Sequence, residues 1–297
     1  MKILVTGAAG FLGSKLLPAL QQNREEVGVC GVVRNLPANL VPSVKYVVTD
    51  LSAPGWTDDL PDENFDVVIH LAQSRFHREF PVKGMDIFNV NVRSTVELAD
   101  WSRRHRVKRF LFTSTGNVYG SQQKVHKEDD CCKPDAMYGA TKLSAEMLLK
   151  PYSGFMTILV LRIFGVYGPG QVNAMFPNII QRFICGDEII LAGDVGVRSN
   201  PIFLDDCVLA IQRLSQMPMP SDFEVLNVCG SETIDLKQVS ELMERFSGKK
   251  AKTRVTASLP LQLVGSNEKF DQLCAPSNGT RFEDGFRKTY NFFNKLY

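Results

Sequence analysis

Apolar positions along this chain follow two different periods. Short runs rich in Val and Ile occur at Ile3 to Thr6, 27–33 (VGVCGVV), 44–50 (VKYVVTD), 66–72 (DVVIHLA), 109–113 (RFLFT) and 157–164 (TILVLRIF). Runs of this length, with little alternation, predict strands buried on both faces. Between them, 84–104 and 136–150 carry apolar residues at helical spacing, and Ser14 to Gln22 predicts a helix that Pro18 should bend or deprive of one hydrogen bond. Strands alternating with helices predict an α/β fold, a Rossmann-type doubly wound parallel sheet. From about Gly165 the pattern breaks into shorter elements punctuated by Gly and Pro, so the expected division is a sheet domain over 1–165 and a smaller mixed portion over 166–297, parts of which return to the sheet.

The first twenty residues allow two readings. Lys2, the apolar run from Ile3 to Leu12 and the small residues Ala8, Ala9 and Gly10 have the layout of a secretory signal. Gly7, Gly10 and Gly13 instead suit a strand-to-helix turn that holds a phosphate, because a backbone approaching a pyrophosphate closely cannot carry a Cβ there. The following helix would then present its amide N–H groups and positive dipole end to the anion. A glycine turn alone does not separate the two, and the rest of the chain must do so.

Composition narrows the function classes. A formal charge of +2 gives no general basic field for nucleic acid, and the basic stretch 102–110 reads as a solvated helix end leading into a strand. No apolar run approaches the ~20 residues that span a bilayer, so no membrane role is expected. Seven cysteines without a CxxC pattern form neither a disulfide framework nor a zinc signature, which points to reduced thiols and a cytoplasmic protein with no metal. His70 reads as a strand-end residue and His77 as loop surface.

In a doubly wound sheet, ligands bind beyond the carboxyl ends of the strands. Arg34 follows the second predicted strand, Asp50 and Leu51 the third, Leu71, Ala72 and Gln73 the fourth, and Thr113 to Thr115 close the fifth. An acidic residue after the second strand would bind the adenosine ribose, whereas an arginine favours a 2′-phosphate, so Arg34 favours NADP over NAD. Its alternative is a surface arginine. Asp50 is either an adenine contact or a helix N-cap. Tyr138 and Lys142 are four apart, hence on one helix face. A tyrosine with an ordinary pKa near ~10 is a poor base at neutral pH, and an ammonium held beside it stabilises the phenolate. Thr115 supplies a hydroxyl for the same substrate oxygen, and a nicotinamide would carry the hydride.

These segments together identify the chain as similar to the extended short-chain dehydrogenases/reductases of the NAD-dependent epimerase/dehydratase family, which act on nucleotide-activated sugars. The resemblance rests on TGAAGFLG at 6–13, TD at 49–50, HLAQ at 70–73, NVNVRST at 89–95, TSTGNVYG at 113–120, YGATK at 138–142, LRIFGVYGPG at 161–170 and GDVGVRSNPIFLDD at 193–206. It implies a catalytic set of Thr115, Tyr138 and Lys142, with Asn91 ordering the active-site helix and proton path. It implies that Gly7, Ala9, Gly10, Phe11, Leu12 and Gly13 line the pyrophosphate, that Leu71 to Gln73, Asn91, Thr113, Tyr138 and Lys142 also lie at the cofactor, and that Gln73, Thr115, Gly116, Asn117 and Arg198 meet the substrate. Arg198 would contact substrate phosphates, or else pair with Asp205 or Asp206.

Two departures from the family pattern matter. Gly116 and Asn117 stand where the family's dehydratases have an Asp-Glu pair, which disfavours dehydration. Gly165 stands where many relatives have an asparagine that helps hold the substrate diphosphate, which leaves an altered or smaller substrate open. The expected activity is therefore epimerisation or ketoreduction of a nucleotide-sugar. The alternatives are reduction of a small carbonyl compound, and a non-catalytic dinucleotide-sensing protein. Helices 84–104 and 136–150 resemble those that form the family's dimer interface, so a homodimer is expected.

Overall fold

The computed structural model describes residues 1–22, 27–274 and 279–296. Its central feature is a seven-stranded sheet. The strands β1 (Lys2–Thr6), β2 (Gly28–Val33), β3 (Val44–Val48), β4 (Val67–His70) and β5 (Arg109–Thr115) are joined by Thr157–Ile163 and Phe223–Val228. Their spatial order is Phe223–Val228, Thr157–Ile163, β5, β4, β1, β2, β3, and the registered pairs from β3 through to β5 are parallel. The order reverses between β1 and β4. A crevice opens at such a point because the crossovers leave in opposite directions, and that crevice is the ligand site of open α/β sheets.

Burial explains the sequence pattern. Leu4, Val68, Phe110 and Ile158 are fully buried on neighbouring strands, and they pack with Leu98, Ala99 and Trp101 from one of the covering helices. Helix α1 (Gly13–Gln21) buries Leu16, Leu17 and Leu20, and Pro18 lies inside it. Proline lacks the N–H that would reach the Ser14 carbonyl, yet the helix continues past it, and Gln22 donates to the Pro18 carbonyl at 3.1 Å. The predicted helix over 84–104 forms as α2 (Gly84–Phe88) and α3 (Ser94–Arg104), joined by one wider π-helical turn over Asn89–Arg93. The predicted helix over 136–150 forms as α4 (Met137–Leu149).

The described chain divides into two compact units, one of residues 1–120, 131–162 and 208–226, the other of 121–130, 163–207 and 227–297. The second unit has short strands whose partners are distant in sequence: Arg198–Ser199 pairs with Ile234–Asp235 and with Gln262–Gly265, and Ile189–Ala192 pairs with Thr253–Thr256. Its core is aromatic, with Tyr167, Phe176, Phe203, Phe282 and Phe286 in mutual contact. In the basic stretch at 102–110, Arg103 and Arg104 share Asp100 and Lys108 pairs with Asp66. Among the described residues no helix is long and apolar enough to cross a membrane, and no cluster of His, Cys, Asp and Glu is arranged to hold a metal ion.

Candidate active site

The glycine turn closes against the switch point. Gly7 has φ +68°, and a Cβ there would stand 2.9 Å from the Ala72 amide nitrogen, at the carboxyl end of β4. A Cβ on Gly13 would overlap the carbonyl oxygens of Gly7 and Ala8, so only glycine lets α1 begin this close to the strand. Gly10 bridges the two, donating to the Gly7 carbonyl and accepting from Ser14, each at 2.9 Å. The cradle leaves room for backbone rather than side chain at the N-terminus of α1, and it fits a dinucleotide pyrophosphate.

Strand β5 delivers the next group. Thr113, Ser114 and Thr115 are all buried. The Thr115 hydroxyl accepts from the Asn117 amide at 3.2 Å and so caps the single 3₁₀ turn Gly116–Tyr119. Helix α4 lies against that turn because residue 139 is glycine: a Cβ there would stand 2.6 Å from the Asn117 carbonyl oxygen. This approach carries Tyr138 to Thr115. The phenol donates to the Gln73 carboxamide oxygen at 2.8 Å, and the Thr115 hydroxyl lies near enough to favour the phenolate. Dense packing around the phenol pushes it up to about 12, against the Thr115 hydroxyl and the positive charge of Arg78.

Lys142 lies one turn deeper, fully buried, donating to the Thr113 carbonyl at 2.8 Å with its nitrogen 4.6 Å from the centre of the Phe112 ring. Burial pulls the ammonium down to about 7, opposed by the Glu146 carboxylate. The sequence expectation placed this ammonium beside the phenol. Instead the Thr113 carbonyl holds it, and among the described residues no hydrogen bond joins it to Tyr138.

Asn91 occupies the π-helical turn and is fully buried. Its side-chain oxygen accepts from the Ser74 amide at 2.9 Å, and its amide nitrogen donates to the Thr141 hydroxyl at 3.0 Å. It thereby ties the segment carrying Gln73 to the helix carrying Tyr138. Wider turns of this kind shift helical register locally and recur at functional sites. His70 is fully buried between the Thr6 hydroxyl at 2.6 Å and the Thr95 hydroxyl at 2.9 Å, and burial drives it down to about 3, so it is a neutral imidazole. His77 lies in the loop after β4, as the sequence suggested, but is half-buried there, its ring packed on Tyr138 with centroids 5.1 Å apart.

The other expected residues separate by position. Ala72 and Leu51 are buried, while Gln73 and Asn117 are exposed. Arg34 is exposed at the end of β2. Asp50 forms a turn rather than a helix cap, accepting from the Ser52 amide at 2.9 Å and hydroxyl at 2.8 Å; these bonds, with Arg34 and Arg75 near, hold its carboxyl below the usual range. Arg198 belongs to the second unit, at the start of its strand. It is exposed and makes no ion pair among the described residues, and Asp206 is instead taken by the Thr280 amide and hydroxyl. The Gln73–Tyr138 bond, the His77 packing and the close approach at Gly139 were not foreseen from the sequence; only the glycine following Tyr138 inside a predicted helix was available as a signal.

A glycine cradle at the switch point, with a Tyr-Lys-Thr set at the end of β5, defines a dinucleotide-dependent short-chain dehydrogenase/reductase. A profile of the NAD-dependent epimerase/dehydratase family matches residues 3–229, and the chain belongs to that family. It is 30% identical to the uncharacterized UDP-glucose epimerase YtcB of Bacillus subtilis, over 100% of this chain and 99% of that protein. It is 26% identical to a UDP-glucose 4-epimerase of Corynebacterium glutamicum, over 92% and 89%. Among solved structures it resembles UDP-glucuronic acid 4-epimerase of Bacillus cereus in complex with UDP-glucuronic acid and NAD, with TM-score 0.88, 28% identity and complete coverage of both chains. These likenesses support a nicotinamide dinucleotide as cofactor. They do not support the preference for NADP drawn from Arg34, since the solved relatives hold NAD.

Proposed function

We propose that this enzyme epimerises a nucleotide-activated sugar at a hydroxyl-bearing carbon, with Tyr138 as acid and base, Thr115 as hydrogen-bond partner of the reacting oxygen, and Lys142 as the buried charge behind them. The observation that carries the reading is that α4 packs against the turn capped by Thr115 and brings the Tyr138 phenol to Gln73, on the carboxyl side of a sheet that bears a dinucleotide cradle. When bound, the nicotinamide supplies the acceptor and then the donor of hydride. In the oxidising half, Tyr138 takes the hydroxyl proton as the carbon–hydrogen bond breaks; in the reducing half it returns that proton to the carbonyl oxygen. Gln73 orients the phenol, and Asn91 fixes Gln73's segment against α4.

UDP-linked hexoses and hexuronic acids are the first substrates to test, because the epimerase relatives carry UDP in their names. Gly116 and Asn117 leave no carboxylate pair beside Thr115, which argues against dehydration. Arg34 favours a 2′-phosphate whereas the solved relatives carry NAD, and titrating both dinucleotides into the wild type and Arg34→Asp decides the choice.

One observation favours a second reading. Arg34 lies exposed at the end of β2, where an arginine suits the 2′-phosphate of NADP, the cofactor that a ketoreductase would consume in its reduced form. Incubating the protein with UDP-sugars and with a 4-keto nucleotide-sugar plus reduced cofactor separates the two. Epimer formation without net change in nicotinamide absorbance supports the first. Stoichiometric loss of reduced cofactor supports the second, and no turnover in either arm refutes both.

A further inference from the structure

Behind Lys142, one turn further along α4, lies a buried ion pair that the proposed reaction does not use. Glu146 and Arg162 are both nearly inaccessible and meet at 2.7 Å, with the Arg162 Nε also 3.1 Å from the same carboxylate oxygen. Ser114, next to Thr115, donates to the other oxygen of Glu146. Arg162 donates in turn to the Tyr119 hydroxyl at 2.9 Å, in the 3₁₀ turn that Thr115 caps. The network thus joins α4, β5, the strand Thr157–Ile163 and the turn, which together position Thr115, Tyr138 and Lys142. A buried pair of this kind seldom adds net stability, because desolvating both ions offsets their attraction.

We propose that Glu146 is a positioning residue whose carboxylate keeps Lys142 in its ammonium form inside an apolar seat, and that Arg162, Ser114 and Tyr119 fix that carboxylate in place. With only one carbonyl acceptor and a Phe112 ring face, the buried amine would favour its neutral form. Among the described residues, the other charged or titratable groups of the elements packed around it work against the ammonium or are neutral. Arg162 is a cation, His70 is an uncharged imidazole, His77 is half-buried and held below its usual range, and Tyr138 is a protonated phenol. Glu146 is the anion, and burial's downward pull on Lys142 is opposed by it alone.

The inference rests on the role assigned to Lys142 in the proposed reaction, but its test reads Lys142 itself and needs no substrate. In protein labelled with carbon-13 lysine, the Lys142 resonance is assigned by its loss in Lys142→Arg and titrated by NMR. Glu146→Gln keeps the hydrogen-bonding shape and removes the charge, and is expected to lower the Lys142 midpoint by about one unit or more, a tenfold loss of ammonium at fixed pH. Mere loosening of the fold would admit water and raise the midpoint instead. Should Glu146→Gln not fold, the double apolar variant Glu146→Met with Arg162→Met, of a kind that cores often tolerate, is expected to lower it by less, because a cation is lost with the anion one turn from Lys142. A midpoint unchanged or raised in whichever variant folds overturns the proposal, even if epimerisation is confirmed.

Discussion

A phenol pushed up to about 12 and donating to Gln73 is an acid, not a base, in the ligand-free protein. Turning it into a base takes positive charge and hydrogen bonds to its oxygen, and Thr115 and Arg78 already act in that direction. Tyr138→Phe keeps the ring packing on His77 and removes only the transferable proton. Turnover should fall by a factor of ~10²–10⁴ while dinucleotide affinity, measured by calorimetry, stays within about twofold. Retained turnover would exclude Tyr138 as the acid and base. Gly13→Ala acts at the other end of the site. Its Cβ meets two backbone carbonyl oxygens that cannot rotate away, so the turn must open. Both dinucleotide affinity and the thermal midpoint should fall, and a variant matching wild type in both would remove the cradle from the binding site. Tyr138, Lys142, Thr115 and the three glycines were legible in the sequence because each has local spacing that the chemistry requires. Gln73 was read as a neighbour of cofactor and substrate, but its bond to Tyr138, like the packing of His77, was not legible, because each depends on a partner more than sixty residues away in the chain.

Elements were legible in proportion to how much of their burial is dictated locally. The strands of the large sheet appear as apolar runs because both faces are covered. The two-residue strands of the second unit carry no such signal, since their partners are set by the folded topology. The π-helical turn at Asn89–Arg93 was read as ordinary helix because one extra residue barely disturbs a 3.6-residue period. His70 links three elements, joining the end of β4 to Thr6 of β1 and Thr95 of α3. Its folded value near 3 lies below the ordinary 6.5, so between those values the unfolded chain binds the proton that the folded one refuses. Stability therefore falls as pH drops from about 6.5 towards 3, and His70→Gln should flatten part of that slope in denaturant melts. An unchanged slope would mean His70 is protonated in the fold. Helix Leu236–Ser247 opens on a capping box, with Asp235 accepting from the Gln238 amide at 2.8 Å and the Gln238 side chain accepting from the Asp235 amide at 2.9 Å. Asp235→Ala should cost about 1 kcal/mol of stability by chemical denaturation, with turnover intact.

On the scale of the whole molecule, two helices leave large apolar side chains in water. Helices α2 and α4 pack on each other, and Met85 and Phe88 on the first and Met147 and Leu148 on the second are exposed, Met85 and Met147 by about 70% of their area. Scattered exposed apolar residues need no explanation, but four of this size on two helices that pack on each other are a candidate for an interface. A second copy of the same chain is the occupant proposed here, because a two-fold axis lets one patch cover its own image. A stable dimer buries roughly 800 Å² per partner, which four large side chains and their neighbours on two helices are able to supply. Light scattering at micromolar concentration should therefore give twice the chain mass. The paired charges of Met85→Glu with Met147→Glu, each facing its image or a neighbour across the axis, should return the monomer mass without loss of secondary structure. A wild-type protein that scatters as a monomer would leave the patch to a different partner and remove the dimer from the proposal.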